Sequence, residues 1–179
     1  IVMQKRTHWG EVCGSNPSTS LSWHPSSPEP SLRALDQLKR LVDIGFIDAG
    51  GRASGLVDEL LRQGWTDLSA LDISEQALSS VRSRLGASSD RVTWHVADVI
   101  EWASPRCYDV WHDRAVPHFL TDPERRRAFR NTLVEGTDPG SHVIIATLAP
   151  GGSEKCSGLP IREYDARITC ESLDQIPIW

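Results

Sequence analysis

The chain has 179 residues, enough for one domain with a sizeable buried core and too few for two of ordinary size. Hydrophobic residues at 39% and charged residues at 24% describe an ordinary globular composition, and a net charge of −5 argues against a nucleic-acid binder with a broad basic face. No apolar stretch approaches the roughly 20 residues a membrane-spanning helix requires, so no membrane partner is expected.

The opening residues, Ile1-Val2-Met3-Gln4-Lys5-Arg6, lack the apolar core of a secretory signal. Cys13, Cys107, Cys156 and Cys170 lie far apart with no CxxC pair, which argues against a disulfide framework or a metal site and for a cytoplasmic location. Residues 1–30 read as an N-terminal flap holding Trp9 and Trp23, which either pack on the core or wall a ligand site. The flap ends in Pro25-Ser26-Ser27-Pro28-Glu29-Pro30, which no regular element is expected to cross.

From residue 31 to 179 the pattern is that of one α/β domain. Ser31 is placed to cap a helix in which Leu32, Leu35, Leu38 and Leu41 recur at helical spacing. The run Val42 to Ala49 reads as a buried strand that ends in an acid, Asp48, and enters the turn Gly50-Gly51. Ser54 is placed to cap a second helix with the stripe Leu56, Val57, Leu60 and Leu61, stopped by Gly64.

The unit then repeats. Leu68 to Ile73 is a second strand carrying Asp72 at its end, and Ser74 opens a helix in which Leu78, Val81 and Leu85 face inward up to Gly86. Arg91 to Ala97 is a third strand followed by Asp98, and Tyr108 to His112 a fourth followed by Asp113-Arg114. Thr121-Asp122-Pro123-Glu124 carries a capping-box pattern ahead of the helix from Arg125 to Val134. Pro139-Gly140 is a turn, and Ser141 to Thr147 a fifth strand. Strands alternating with helices imply a doubly wound parallel sheet with helices on both faces.

In such a sheet, ligands bind beyond the carboxyl ends of the strands. Glycines after the first strand let the backbone approach a ligand. Asp72, after the second, is placed to accept from a ribose diol, and Asp98, after the third, from an exocyclic amine of adenine. Each acid alone is more often a helix cap, but acids after three successive strands form a specific pattern. His112 and His118 are placed to take a proton, with an ordinary polar role at a strand end or helix start as the equal alternative.

These residues resemble the class I S-adenosylmethionine (SAM)-dependent methyltransferases. Asp48-Ala49-Gly50-Gly51-Arg52-Ala53-Ser54 is similar to their first motif, Leu71-Asp72-Ile73-Ser74 to the ribose motif and Val96-Ala97-Asp98-Val99 to the adenine motif. Tyr108 to Arg114 resembles the fourth-strand motif, and Pro139-Gly140-Ser141-His142-Val143 the turn and fifth strand. His8 to Cys13 with Ser22-Trp23, and Cys156 to Pro160 with Tyr164-Asp165, resemble a branch of uncharacterised bacterial and elongation-factor-lysine-type enzymes.

The resemblance implies a Rossmann-like sheet of order 3-2-1-4-5 and SAM as cofactor. It implies that Asp48, Ala49, Gly50 and Gly51 surround the methionine part, Asp72 and Ile73 the ribose, and Asp98 and Val99 the adenine, with Trp9 closing over them. It sets His112 at the cofactor, and His112, Asp113, Arg114 and His118 as candidates facing the methyl group and its acceptor, a small molecule or a protein side chain.

Three departures stand out. Arg52 replaces the usual second spaced glycine, and Cys13 stands where the branch has a flap tyrosine. The stretch from Leu148 to Trp179 is too short for the usual closing helix and antiparallel strand pair, so that pair is expected to be missing. The fifth strand would then be an open edge, suited to self-association. Two other readings follow: a truncated, inactive remnant of the fold, and a dinucleotide-dependent oxidoreductase suggested by Gly50, Gly51 and Gly55, whose spacing does not fit that fingerprint. The run Arg125-Arg126-Arg127 reads as a solvated helix face.

Overall fold

Four short apolar runs and one longer strand pair side by side through the interior of the domain. The computed structural model describes residues 7–9, 28–38, 42–51, 55–114, 116–152 and 154–165. Its main sheet is built from β1 (Phe46–Ala49), β2 (Leu68–Asp72), β3 (Val92–Val96), β4 (Tyr108–Arg114) and β5 (Thr137–Ala146), in the order β3-β2-β1-β4-β5. All four neighbouring pairs are parallel. Between them run α1 (Glu29–Asp36), ahead of β1, then α2 (Leu56–Arg62), α3 (Glu75–Leu85) and α4 (Pro123–Glu135).

Side chains alternate across a strand, and β1 shows what that does here. Phe46 enters one core with Leu56, Leu60, Trp65 and Leu78, on the face covered by α1, α2 and α3. Ile47 and Ala49 enter a second core with Trp111, Phe129 and Leu133, on the face covered by α4. Every residue of β1 and β2 is buried, as expected of strands covered on both sides. Among the described residues, no helix is long and apolar enough to cross a membrane.

The helices begin and end largely where the sequence places them. Ser74 accepts from the Ala77 amide at 3.2 Å and caps α3. Gly64, with φ +92°, follows α2, and Gly86, with φ +57°, closes α3. The stripe Leu56, Val57, Leu60 and Leu61 is buried.

Four local expectations are corrected. α1 starts at Glu29, ahead of Ser31, because a proline in the first turn loses only an amide that has no helical partner anyway. Ser31 is therefore buried inside the helix instead of capping it. Asp122, not Thr121, caps α4, accepting from the Glu124 amide at 2.7 Å. The Pro139-Gly140 turn lies within β5: pairing jumps from Tyr108↔Thr137 to Val110↔His142, with Gly140 at φ +97°.

A short antiparallel pair, apart from the main sheet, lies in the stretch after Leu148. β6 (Lys155–Cys156) and β7 (Leu159–Pro160) form a separate two-stranded sheet joined by Ser157 and Gly158, at φ +51° and +78°. Two positive φ values in a two-residue loop match the twist of a tight hairpin, which a scan for longer strands overlooks. The positions of Cys13, Trp23, Leu41, Arg52, Ser54 and Cys170 lie outside the described residues.

Candidate functional site

The strands end together at one edge of the sheet, and a cleft opens there. Asp72, the last residue of β2, and Asp98, two residues past β3, line it with the apolar side chains of Leu71, Ile73 and Val99. Trp9, Val116, Phe119 and Leu120 supply further apolar wall, and Gly50, Arg114 and Arg125 also border it. Trp9 is 8% exposed and meets the ring of Phe119 edge-on at 4.9 Å.

The turn after β1 works by shape. Gly50 sits at φ +70°, and a Cβ there would overlap Val116 Cγ2. A Cβ on Gly51 would stand 2.5 Å from the Asp48 carboxylate. The Gly50 amide donates to the Leu71 carbonyl at 2.7 Å, so this N–H ties β1 to β2 and is not directed to a ligand. Asp72 is buried, and one carboxylate oxygen accepts from the Ser74 amide at 2.7 Å. That bond fixes the carboxylate at the floor of the cleft. Asp98 accepts from the Ile100 amide at 3.3 Å and from the Arg125 guanidinium at 3.2 Å.

Several residues expected at the site lie behind it. Asp48 and His112 are register partners on β1 and β4, and both point toward α1. His112 Nδ1 donates to Asp48 at 2.7 Å, while Nε2 meets the Ser31 hydroxyl at 2.9 Å. With both ring nitrogens held in the interior, His112 is set to pin α1 to the sheet, away from any proton transfer in the cleft. Ala49 is fully buried in the second core. Asp113 is fully buried and accepts from the Val116 amide at 3.2 Å. Burial pushes its carboxyl well above the ordinary carboxylate range, the Val116 bond opposing and the nearby Asp48 adding to it. His118 is buried against Phe119, ring centroids 4.2 Å apart, and its carbonyl accepts from the Arg162 amide.

The structure thus brings Trp9, Gly50, Asp72, Ile73, Asp98, Val99 and Arg114 to the cleft, and places Asp48, Ala49, His112, Asp113 and His118 in the packing behind it. It adds residues that sequence reasoning missed. Arg125 is the chief one: it turns inward to Asp98, while Arg126 donates to the carbonyls of Leu120 and Thr121, and Arg127 pairs with Glu124 at the surface. Val116, Phe119 and Leu120 form an apolar run directly after β4, a signal available in the sequence.

Residues 46–134 match the family model described as a methyltransferase domain. No curated protein matches the sequence. Among solved structures, the chain is similar to one concerned with conversion of a disulfide bond into a thioacetal group during echinomycin biosynthesis, at 22% identity and a TM-score of 0.74, covering 95% of this chain and 78% of that one. It is similar to DhpI in complex with SAM and HEP at 14% identity and a TM-score of 0.73, covering 97% of this chain and 87% of that one. It is also similar to the glycopeptide N-methyltransferase MtfA in complex with SAM, at 19% identity and a TM-score of 0.59, covering 70% of this chain but only 56% of that one. At these identities the likenesses speak for the fold, and the family match for the domain. The chain has the fold of these SAM-bound methyltransferase structures, and its match to a methyltransferase domain runs from β1 through most of α4.

Proposed function

We propose that this chain transfers the methyl group of SAM to a small molecule or a protein side chain. The observation that carries the reading is the pair of buried acids, Asp72 and Asp98, at the ends of adjacent strands and in one cleft. They suit different parts of an adenosine: a fixed carboxylate for a diol at β2, and an acceptor for an exocyclic amine at β3. Leu71, Ile73 and Val99 supply the apolar faces that a purine and ribose need between them. Gly50, lacking a side chain, lets Val116 pack against the end of β1 at the border of the cleft.

The cofactor, when bound, supplies an activated methyl on a sulfonium, which a nucleophile displaces directly. What the protein contributes is alignment and exclusion of water. Trp9 and Phe119 form an apolar wall over the cleft, and Asp72 holds a fixed orientation through Ser74. Among the described lining residues there is no imidazole.

The names of two similar structures, a glycopeptide N-methyltransferase and a protein of echinomycin biosynthesis, support an acceptor of small-molecule or peptide kind. Calorimetric titration with S-adenosylhomocysteine (SAH) tests the reading. The wild type should release heat on binding, and Asp72→Asn, which keeps the Ser74 contact but removes the charge, should weaken binding about tenfold or more. No heat from the wild type up to millimolar SAH would restore the reading of the chain as an inactive remnant.

A further inference from the structure

Arg114 closes β4 at the edge of the cleft. Its neighbour in the cleft, Arg125, is neutralised by Asp98. Arg114 is different: its guanidinium makes no hydrogen bond or ion pair with any described residue, although it is partly buried. Removal from water holds it below the ordinary arginine range, against the pull of Asp48, one of whose carboxylate oxygens is engaged by His112. A partly desolvated cation is costly unless something balances it, and arginines away from solvent are almost always paired.

We propose that Arg114 is a carboxylate-recognition residue of this cleft. One guanidinium without a second unpaired cation beside it balances a single negative charge, and its planar fork matches a carboxylate. Its place in the sheet supports this. The strand ends run in the order Asp98 on β3, Asp72 on β2, Gly50 on β1 and Arg114 on β4. Three strand spacings separate the first from the last, about 14 Å. A ligand whose adenine lies at β3 and ribose at β2 reaches β1 and β4 with whatever follows the ribose. The carboxylate then has two sources: the amino-acid tail of the cofactor, or a methyl acceptor that carries an acid.

This inference rests on the SAM-binding reading above, and two ligands keep the two apart. SAH carries the amino-acid tail, whereas 5′-methylthioadenosine has the adenosine and thioether without it. Calorimetry on wild type and Arg114→Gln, with sodium acetate then titrated onto each SAH complex, distinguishes the sources. If the cofactor tail is the partner, Arg114→Gln weakens SAH by about 10- to 100-fold and leaves methylthioadenosine unchanged, the scale of one charge-assisted hydrogen bond. If the acceptor is the partner, neither nucleoside changes, and acetate binds the wild-type SAH complex but not that of the variant.

Equal weakening of SAH and methylthioadenosine would make Arg114 structural and overturn the proposal. So would a variant that binds all three probes as the wild type does. Should Arg114→Gln fail to fold, as read by its thermal melt, Arg114→Lys and the carboxamide of SAH ask the same question. If the carboxamide binds the wild type as tightly as SAH and acetate does not bind, no carboxylate is recognised. A wild type that binds neither nucleoside removes the SAM reading itself, and this proposal with it.

Discussion

The turn after β1 offers the sharpest test of how the cleft is shaped. Gly50→Ala places a side chain at φ +70°, where an L residue costs about 1–2 kcal/mol. The added methyl would overlap Val116 Cγ2, and the Arg114 carbonyl oxygen stands 3.5 Å from it, so the wall must shift. Overpacking of this kind costs about 1–3 kcal/mol. Alanine recovers a fraction of this by restricting the unfolded chain, which leaves a net loss of roughly 2–4 kcal/mol. Urea unfolding reads it as a lower midpoint at unchanged slope. Val116→Ala removes the overlapped methyl, so the double variant should recover the steric part and retain the backbone part. The coupling between the two substitutions should therefore be favourable by about 1–3 kcal/mol. Because Val116 also lines the cleft, Gly50→Ala alone should weaken SAH as well. Additive effects of the two substitutions would show that the overlap is not there. A fully stable Gly50→Ala would show that the left-handed turn is not there.

Two buried polar residues behind the cleft give further tests. Burial raises the Asp113 carboxyl in the folded state, so the folded chain binds that proton more tightly than the unfolded one. The stability it lends is fully present below the ordinary value of 3.8 and is lost as pH rises toward the folded value. Asp113→Asn does not titrate and still accepts from Val116, so at neutral pH it should be more stable than the wild type by about 1–3 kcal/mol. That gain should vanish in thermal melts near pH 4, and a pH-independent difference would refute the argument. Ser31→Ala removes the hydroxyl from His112 Nε2 in a buried site and should cost about 1–3 kcal/mol of unfolding free energy, with SAH affinity retained in the folded fraction. A neutral effect in urea unfolding would show that this contact does not hold α1 to the sheet.

What the sequence made legible was what short-range pattern controls. Strand ends and the acids standing on them follow from apolar runs and their punctuation, which is why local pattern suffices to place Asp72 and Asp98. Side-chain direction is another matter. Asp48 has the same local signature as Asp72, an acid closing a buried strand, yet it is consumed by His112 and helps pin α1 instead of facing the cleft. What separates them is the register of β1 on β4, which sets Asp48 beside His112 across 64 residues of chain, and no local pattern carries that information.

The arginine run carried a clue of a different sort. An α-helix turns about 100° per residue, so three consecutive side chains fan over about 200° and point to different surroundings. Arg125 is the one sent inward, to Asp98. The same reasoning gives weight to Arg114. Strand alternation sends His112 toward α1, and Asp113 and Arg114 complete the strand beyond it at the open end of the sheet. Asp113 resolves its burial by keeping a proton. Arginine has no such recourse at any ordinary pH, and Arg114, with no hydrogen bond or ion pair to a described residue, borders the cleft where an anionic partner would enter.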